Sequence, residues 1–455
     1  MTSLFFIDWN TESVSDQMAA PELAATVARL EIRVGSRWPT IVEESRNGSI
    51  RRSINVSLYP LAEWIVFSWW TLLHSGRSGG SLPNERSQWT SPRRNNMRAA
   101  GDGFIWPNLS IHPESGLIRI EWSADAALLP GRDVRFLTNG SDLLDFALVQ
   151  ESFTDLVESV ITRLNEAGVG ESTLQKEWTA LRELSTDEAE FCQVCGRLGL
   201  DPFSEGVDLA TAIERVYDEL PESIVADFFD AANPERLLEN ADWVSKADAK
   251  ALLPKRSPST RMATPRAVEA SMSDTRVAFH SVPVIGQDFL SAIRTTRWSD
   301  SDPRRPFEIG YEQARRVRAE LRLSPEERFP IDQMPVSVST LQSNEPSLQG
   351  LSRASDEHTN VILGWVARPE EKKFASSRAL WHTLYGDPRA PFLLTSAASP
   401  SQQTARAFAA ELLAPAEGIR ARLGVGMGGI TAAPVIADAY AVSETVIQHQ
   451  IENQI

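Results

Sequence analysis

The side chains able to do chemistry in this chain sit in three places. The only two cysteines, Cys192 and Cys195, form a single C-x-x-C. Zinc would need two further soft ligands nearby, and the sequence has neither a second C-x-x-C nor a His pair. A redox pair normally opens a helix after a strand, whereas DEAEFCQVCGRLGL puts this one inside or at the end of a helix. Two small buried side chains are the ordinary reading. The second place is the loop 76–98, where Arg77, Arg86, Arg93, Arg94 and Arg98 face the single acid Glu85. Such a loop can hold phosphates or an acidic partner, or be a solvated surface loop. The third place is 374–415, with FASSRALWH and then QQTARAFAAELLAP, which includes Arg378, His382 and Gln402.

The elements that must position these groups can be read from periodicity. Alternation of apolar and polar residues predicts strands at 49–58 (SIRRSINVSL) and 116–122 (GLIRIEW). Between them Pro60 opens LAEWIVFSWWTLLHS, whose apolar residues wrap most of the circumference and predict a buried helix. Eight of the thirteen tryptophans lie in the first 150 residues and are expected to fill the core of an α+β domain. From about 143 to 251 the pattern is helical: Phe153, Leu156, Val157, Val160, Ile161 and Leu164 recur at helical spacing, and Gly168 is a C-cap candidate. The Ser/Thr/Pro/Arg-rich stretch 254–276 predicts a linker. From Pro306 an amphipathic helix, extended segments (MPVSVSTL, TNVILGW), a helix at 374–385 and another at 404–413 follow, and two short helices close the chain.

The expected organisation is therefore an α+β multidomain chain. It comprises a Trp-rich α+β domain at 1–142, a helical domain at 143–253, a linker and connecting segment at 254–305, and a final domain at 306–455. The composition is 42% hydrophobic and 23% charged with mean hydropathy −0.23, which is that of a globular protein able to bury a sizeable core. A net charge of −16 argues against a surface that coats nucleic acid, while a local basic patch remains compatible with it. The N-terminus lacks a basic segment followed by an apolar run, and the longest apolar stretch, 61–73, is broken by Glu63 and Ser68. With only two cysteines, a cytoplasmic, reducing location without membrane insertion is expected.

The order of elements after Pro306, with ARAFAAELLAP at 405–415 and AVSETVIQHQIEN near the end, resembles the ImmA/IrrE family of metallopeptidases. The resemblance covers about a third of the chain, 306–455, and its second half is the specific part. It implies a zincin-like, mainly helical domain. The family helix reads roughly R-F-x-x-A-H-E-x-x-H, in which two histidines one turn apart bind zinc and the intervening Glu takes a proton from metal-bound water. An acidic third ligand follows in E-x-x-A-N-x-F-A-x-x-L-L-x-P.

Laid over this chain, the pattern puts Arg378 at the first His, Ala379 at the Glu and His382 at the second His. The third ligand falls at Gln402, with Thr404 as the nearby alternative. A guanidinium in a ligand position repels a dication, and without the Glu no base is present. The resemblance thus implies a vestigial site with no metal or cofactor, with Arg378 and His382 as its candidate binding residues: Arg378 is left to form a structural ion pair or to hold a carboxylate or phosphate ligand, and His382 is expected to be a buried or interface histidine. His358, with Asp356 or Glu357, is the conceivable substitute ligand set. Active relatives cleave repressor-type proteins in mobile-element, stress-response and phage-defence settings. The expectation is therefore a non-catalytic regulatory, adaptor or sensing protein with a protein partner. A residual peptidase and a nucleic-acid-binding regulator are the alternatives. The closing segment looks like a helix-turn-helix, with Ser443 capping the second helix. That helix offers Glu444, Thr445, Gln448 and His449 but no Lys or Arg, so packing or protein contact is expected of it rather than groove reading.

Overall fold

In a computed structural model, the chain is described at residues 3–9, 20–45, 47–76, 94–101, 103–114, 116–127, 133–203, 207–252, 305–354, 358–387, 389–423 and 432–455. The expected linker at 254–276 lies outside them. The fold is mixed α and β, and the chain divides into two compact units. One comprises 1–216, 226–237 and 397–400, and the other 217–225, 238–396 and 401–455. No helix among the described residues is long and apolar enough to cross a membrane.

The first unit opens with strand β1 (Phe5–Trp9), the short helix α1 (Pro21–Ala25) and strands β2 (Val27–Ile32), β3 (Val42–Glu44), β4 (Ile50–Arg51) and β5 (Ile54–Ser57). Helices α2 (Tyr59–Phe67) and α3 (Trp69–His74) follow, then β6 (Asn108–Glu114), β7 (Leu117–Ser123), β8 (Val134–Phe136) and β9 (Gly140–Asp145). Three antiparallel sheets result, in the orders β1-β2-β5, β4-β3-β8 and β6-β7-β9. The single strand expected at 49–58 is thus two short strands in different sheets. The single helix expected after Pro60 is two, because Ser68 leaves the helical conformation at φ −104°, ψ 8°. Both helices are buried nearly all round, as their composition required, and Trp64, Trp69, Trp70, Trp106 and Trp122 are core residues.

Helix α4 (Phe146–Glu166) buries Val149, Phe153, Leu156, Val157, Val160 and Leu164 on one face. Asp145 caps its start, and Gly168 turns the chain away at φ +72°. Helices α5 (Thr173–Arg182) and α6 (Thr186–Leu198) each begin with a capping box, Ser172 with Gln175 and Ser185 with Glu188. At Gly196 a Cβ would stand 2.5 Å from the Trp70 carbonyl oxygen, so only glycine lets α6 come this close to α3. One apolar core runs from Leu4 to Cys192. The boundary expected at 142/143 therefore falls inside a shared core, because the apolar face of α4 is covered by the Trp-rich segment.

Helices α7 (Val207–Glu219) and α8 (Glu222–Ala231) precede α9 (Leu237–Leu252). In the second unit α9 is tied to the strands that follow: the Trp243 indole donates to the Leu341 carbonyl at 2.9 Å, Lys250 to the Thr340 carbonyl at 2.7 Å, and Arg353 pairs with Asp248 at 2.8 Å. The last helix of the expected helical domain is thus built into the second unit.

There α10 (Pro306–Glu320) leads to β10 (Val336–Thr340), β11 (Leu348–Ala354), β12 (Thr359–Leu363), α11 (Pro369–Tyr385), β13 (Phe392–Thr395), α12 (Pro400–Leu413), α13 (Ala416–Leu423), α14 (Ala433–Tyr440) and α15 (Glu444–Gln454). The sheet order is β10-β12-β11-β13, with β10 parallel to β12 and the other pairs antiparallel. Helix α11 packs on the sheet and is buried from Ser376 to Tyr385. Helix α10 crosses α12 at Gly310, where a Cβ would stand 2.4 Å from the Thr404 carbonyl oxygen.

Candidate functional site

Helix α11 starts at Pro369, a residue preorganised for the first helical turn, and runs through the segment that carries Arg378, Ala379 and His382. Arg378 is 2% exposed. Its guanidinium donates to the Gln349 side-chain oxygen at 2.6 Å, to the Thr395 carbonyl at 2.9 Å and to the side-chain oxygen of Gln402. Gln402 is fully buried in α12. The same amide oxygen accepts the Thr395 N–H at 3.1 Å, and its NH₂ donates to the Leu393 carbonyl. Arg406, one turn on, also reaches the Thr395 carbonyl, at 3.2 Å.

The sheet explains why these groups meet. Between Leu348 and Gly350 the β11–β13 register slips, so Gln349 is the extra residue of a bulge facing the end of β13. A bulge redirects its side chain relative to the regular alternation. Here it brings the Gln349 amide to Arg378. Gln349, Thr395 and Arg406 were not singled out from the sequence. Glutamine in LQGL carries no signal, because only strand register makes it a neighbour of α11.

Ala379 is fully buried in the apolar core, so the position that would hold a general base faces packed side chains. The His382 ring lies flat on Phe392, with centroids 4.7 Å apart and planes 5° from parallel. It also closes on Gly386, where a Cβ would stand 2.4 Å from Cδ2 and 2.9 Å from Nε2. Burial pushes the His382 pKa down to about 4, against the opposing pull of Asp387, so the imidazole is neutral near pH 7. Arg378 and His382 are therefore both built into the interior: His382 is the buried histidine expected of it, and Arg378 pairs with amide and carbonyl oxygens where an acidic partner or a carboxylate or phosphate ligand was expected.

Thr404 donates to the Pro306 carbonyl at 3.1 Å, joining α12 to α10. His358 immediately precedes β12, where the Thr359 and Thr383 hydroxyls are 3.0 Å apart; Asp356 and Glu357 lie outside the described residues. Among the described residues no group of three or more His, Cys, Asp or Glu side chains could hold a metal ion.

Of the arginine loop, Arg77, Arg86 and Arg93 lie outside the described residues. Arg94 is exposed, and its carbonyl accepts the Trp64 indole N–H at 2.9 Å. Arg98 forms a 2.5 Å ion pair with the buried carboxylate of Asp125, which also accepts the Phe136 N–H at 3.1 Å. This pair holds the fold together, so the binding role expected of Arg98 is corrected to a structural one.

Cys192 and Cys195 form no disulfide and are buried inside α6. Burial pushes the Cys192 thiol up to about 11, with Glu188 and Asp201 adding to it, which removes the thiolate that redox exchange needs.

The closing helices form a helix-turn-helix through Ala441 at φ +54°. Helix α15 buries Ile447 and Gln450 and exposes Glu444, Thr445, Gln448 and His449. A fully buried carboxylate, Glu411 in α12, anchors it. Glu411 accepts from Arg315 at 2.8 Å, Gln450 at 2.9 Å, Gln454 at 2.8 Å and the Ala416 N–H at 3.2 Å. A glutamate inside the apolar run FAAELL was the one sequence hint of this anchor. No family model matches the chain, and no curated protein matches it.

Proposed function

We propose that this chain is a non-catalytic protein of the ImmA/IrrE kind. It acts as a regulatory, adaptor or sensing component through contacts with a protein partner, in a bacterial or phage regulatory or defence system. The observation that supports this reading is the hydrogen bond between Arg378 and Gln402. In the family pattern these two positions supply the first and third metal ligands, which must face each other across one ion. Here they face each other through a guanidinium and an amide, and the guanidinium spans the gap that an ion would span. A cation fixed in that place excludes a dication by charge and by volume. The succession of helix, strand, hairpin, helix, strand and helix in the second unit, with α11 buried against a mixed sheet, is in keeping with the zincin-like arrangement that the resemblance implies.

The test is metal analysis of the full chain purified without chelator, with and without added zinc. The native chain is expected to carry no stoichiometric zinc. The variant Arg378→His/Ala379→Glu/Gln402→Glu, which reads HELWH at 378–382 with an acid at 402, is expected to gain it. Stoichiometric zinc in the native chain that disappears in His382→Ala would overturn the proposal and favour a residual peptidase.

A further inference from the structure

The first unit carries an arginine cluster that no part of the C-terminal reading uses. After β2 the chain makes a tight turn, Val34-Gly35-Ser36-Arg37, closed by backbone bonds between Val34 and Arg37 at 2.9 and 3.0 Å, with Gly35 at φ +59°. Trp38 follows, half-buried and fixed by its backbone, whose carbonyl accepts from Thr138 at 3.0 Å and from the Ile41 N–H at 3.3 Å. Two guanidinium groups lie against its ring, Arg52 at 4.7 Å and Arg33 at 5.8 Å from the centroid. Arg37 stands exposed beside them on the turn.

The neighbouring carboxylates are otherwise engaged. Glu31 lies 3.8 Å from Arg29, Glu44 2.8 Å from Arg51 and Glu43 2.7 Å from Arg135. Asp142, behind Gly35, accepts the Leu143 N–H at 2.9 Å. Among the described residues, no acid lies within ion-pair distance of Arg33, Arg37 or Arg52. Arg33 makes one internal hydrogen bond, to the Gly35 carbonyl at 3.0 Å. In a chain of net charge −16, three arginines with no ion-pair partner among the described residues, gathered around one indole, make a local concentration of positive charge.

We infer that Arg33, Arg37, Arg52 and Trp38 form a binding platform for single-stranded nucleic acid. A guanidinium over an indole can still offer N–H groups to phosphate oxygens, as Arg33 can with those not bonded to Gly35, and its outer face can take an unstacked base. An acidic protein would use only the edges. A duplex, its bases already stacked, would leave the outer faces idle. The contact with Trp38 also limits the side-chain freedom of Arg33 and Arg52 before any ligand arrives, which reduces the ordering cost of binding.

The test uses the full chain and a fluorescein-labelled oligothymidylate of about ten nucleotides, followed by anisotropy at low salt. Saturable binding is expected, with log K falling against log salt at a slope of about −2 for three phosphate contacts. Each of Arg33→Gln, Arg37→Gln and Arg52→Gln should reduce that slope by about 0.7. The triple variant should lose at least about tenfold in affinity, while Arg182→Gln, which removes an exposed charge elsewhere on this unit, should lose little. No saturable binding, or a triple variant that binds like the native chain, overturns the inference. Competition by polyglutamate as strong as by unlabelled oligothymidylate also overturns it and assigns the surface to an acidic protein.

Discussion

The guanidinium of Arg378 in α11 and the side-chain amide of Gln402 in α12 are hydrogen-bonded to each other, although 24 residues separate them in the chain. Both are buried, and both also bind β13 at Thr395, so one small polar network joins two helices to the sheet edge. Each group in such a network has given up water, so losing one member weakens the others.

Truncation of Arg378 follows from that. Arg378→Ala removes the donor to the Gln349 oxygen and one of the donors to the Gln402 oxygen and the Thr395 carbonyl, and is expected to destabilise the second unit by about 3 kcal/mol. Arg378→Lys should recover only part of this, because an ammonium cannot reproduce the planar fork. Urea unfolding of the three proteins under one set of conditions gives the comparison.

His382 makes the second unit acid-sensitive. Its pKa is about 4 when folded and 6.5 in the unfolded reference, so as pH falls the unfolded chain takes up the proton first. The stability that His382 contributes is complete above pH 6.5 and falls by about 3 kcal/mol on the way to pH 4. His382→Phe, which keeps a ring on Phe392, should flatten this dependence. A pH series of unfolding midpoints for both proteins checks it.

In the first unit two groups oppose each other. Burial lowers the His74 pKa to about 4, and the Arg197 charge adds to this. Burial raises Asp230 from 3.8 to about 7, with Asp227 adding and its ion-pair partner Arg197 opposing. The Asp230 contribution is full below pH 3.8 and lost as pH rises to 7, whereas that of His74 is full above 6.5 and lost as pH falls. Between pH 4 and 7 they largely cancel. Asp230→Asn should therefore expose the His74 effect, with stability falling by about 3 kcal/mol from pH 7 to pH 4. Hydrogen exchange of α4 amides across that range would read it out.

Glu411 is the anchor of the closing helix. Glu411→Ala strands Arg315, Gln450 and Gln454 without their common acceptor and is expected to cost about 3 kcal/mol. The loss should concentrate in α15, whose amides at 444–454 should exchange faster while those of α11 change less.

The cysteines provide a simple control on α6. With both thiols buried and Cys192 raised to about 11, a disulfide reagent should modify them at least about a hundredfold more slowly in the folded chain than in urea. Rapid modification at neutral pH would contradict the packing of this helix.

Periodicity carried the local reading well where one face of one element was buried. The spacing of Phe153 to Leu164 required α4, and the alternation of GLIRIEW required β7. It failed where a single residue broke an element, as at Ser68, and where two strands side by side in sequence joined different sheets, as β4 and β5 do. The motif text also paired Arg378 with Gln402, which do meet, whereas His382, set beside them in the pattern, packs on Phe392.

By itself, then, the sequence determined the helices and strands with strong burial patterns and, through the residue types at 378, 379 and 402, that no H-E-x-x-H reads at 378–382 and no acid stands at 402. These depend on side-chain chemistry and on neighbours within about a helical turn. Only the tertiary structure decided that Arg378 turns inward, because its partners come from β11, β13 and α12. The sheet order β10-β12-β11-β13 and the bulge at Gln349 place those elements around it. The same holds for Trp38, which gathers Arg33 and Arg52 only because the turn after β2 and the residues between β4 and β5 meet in space.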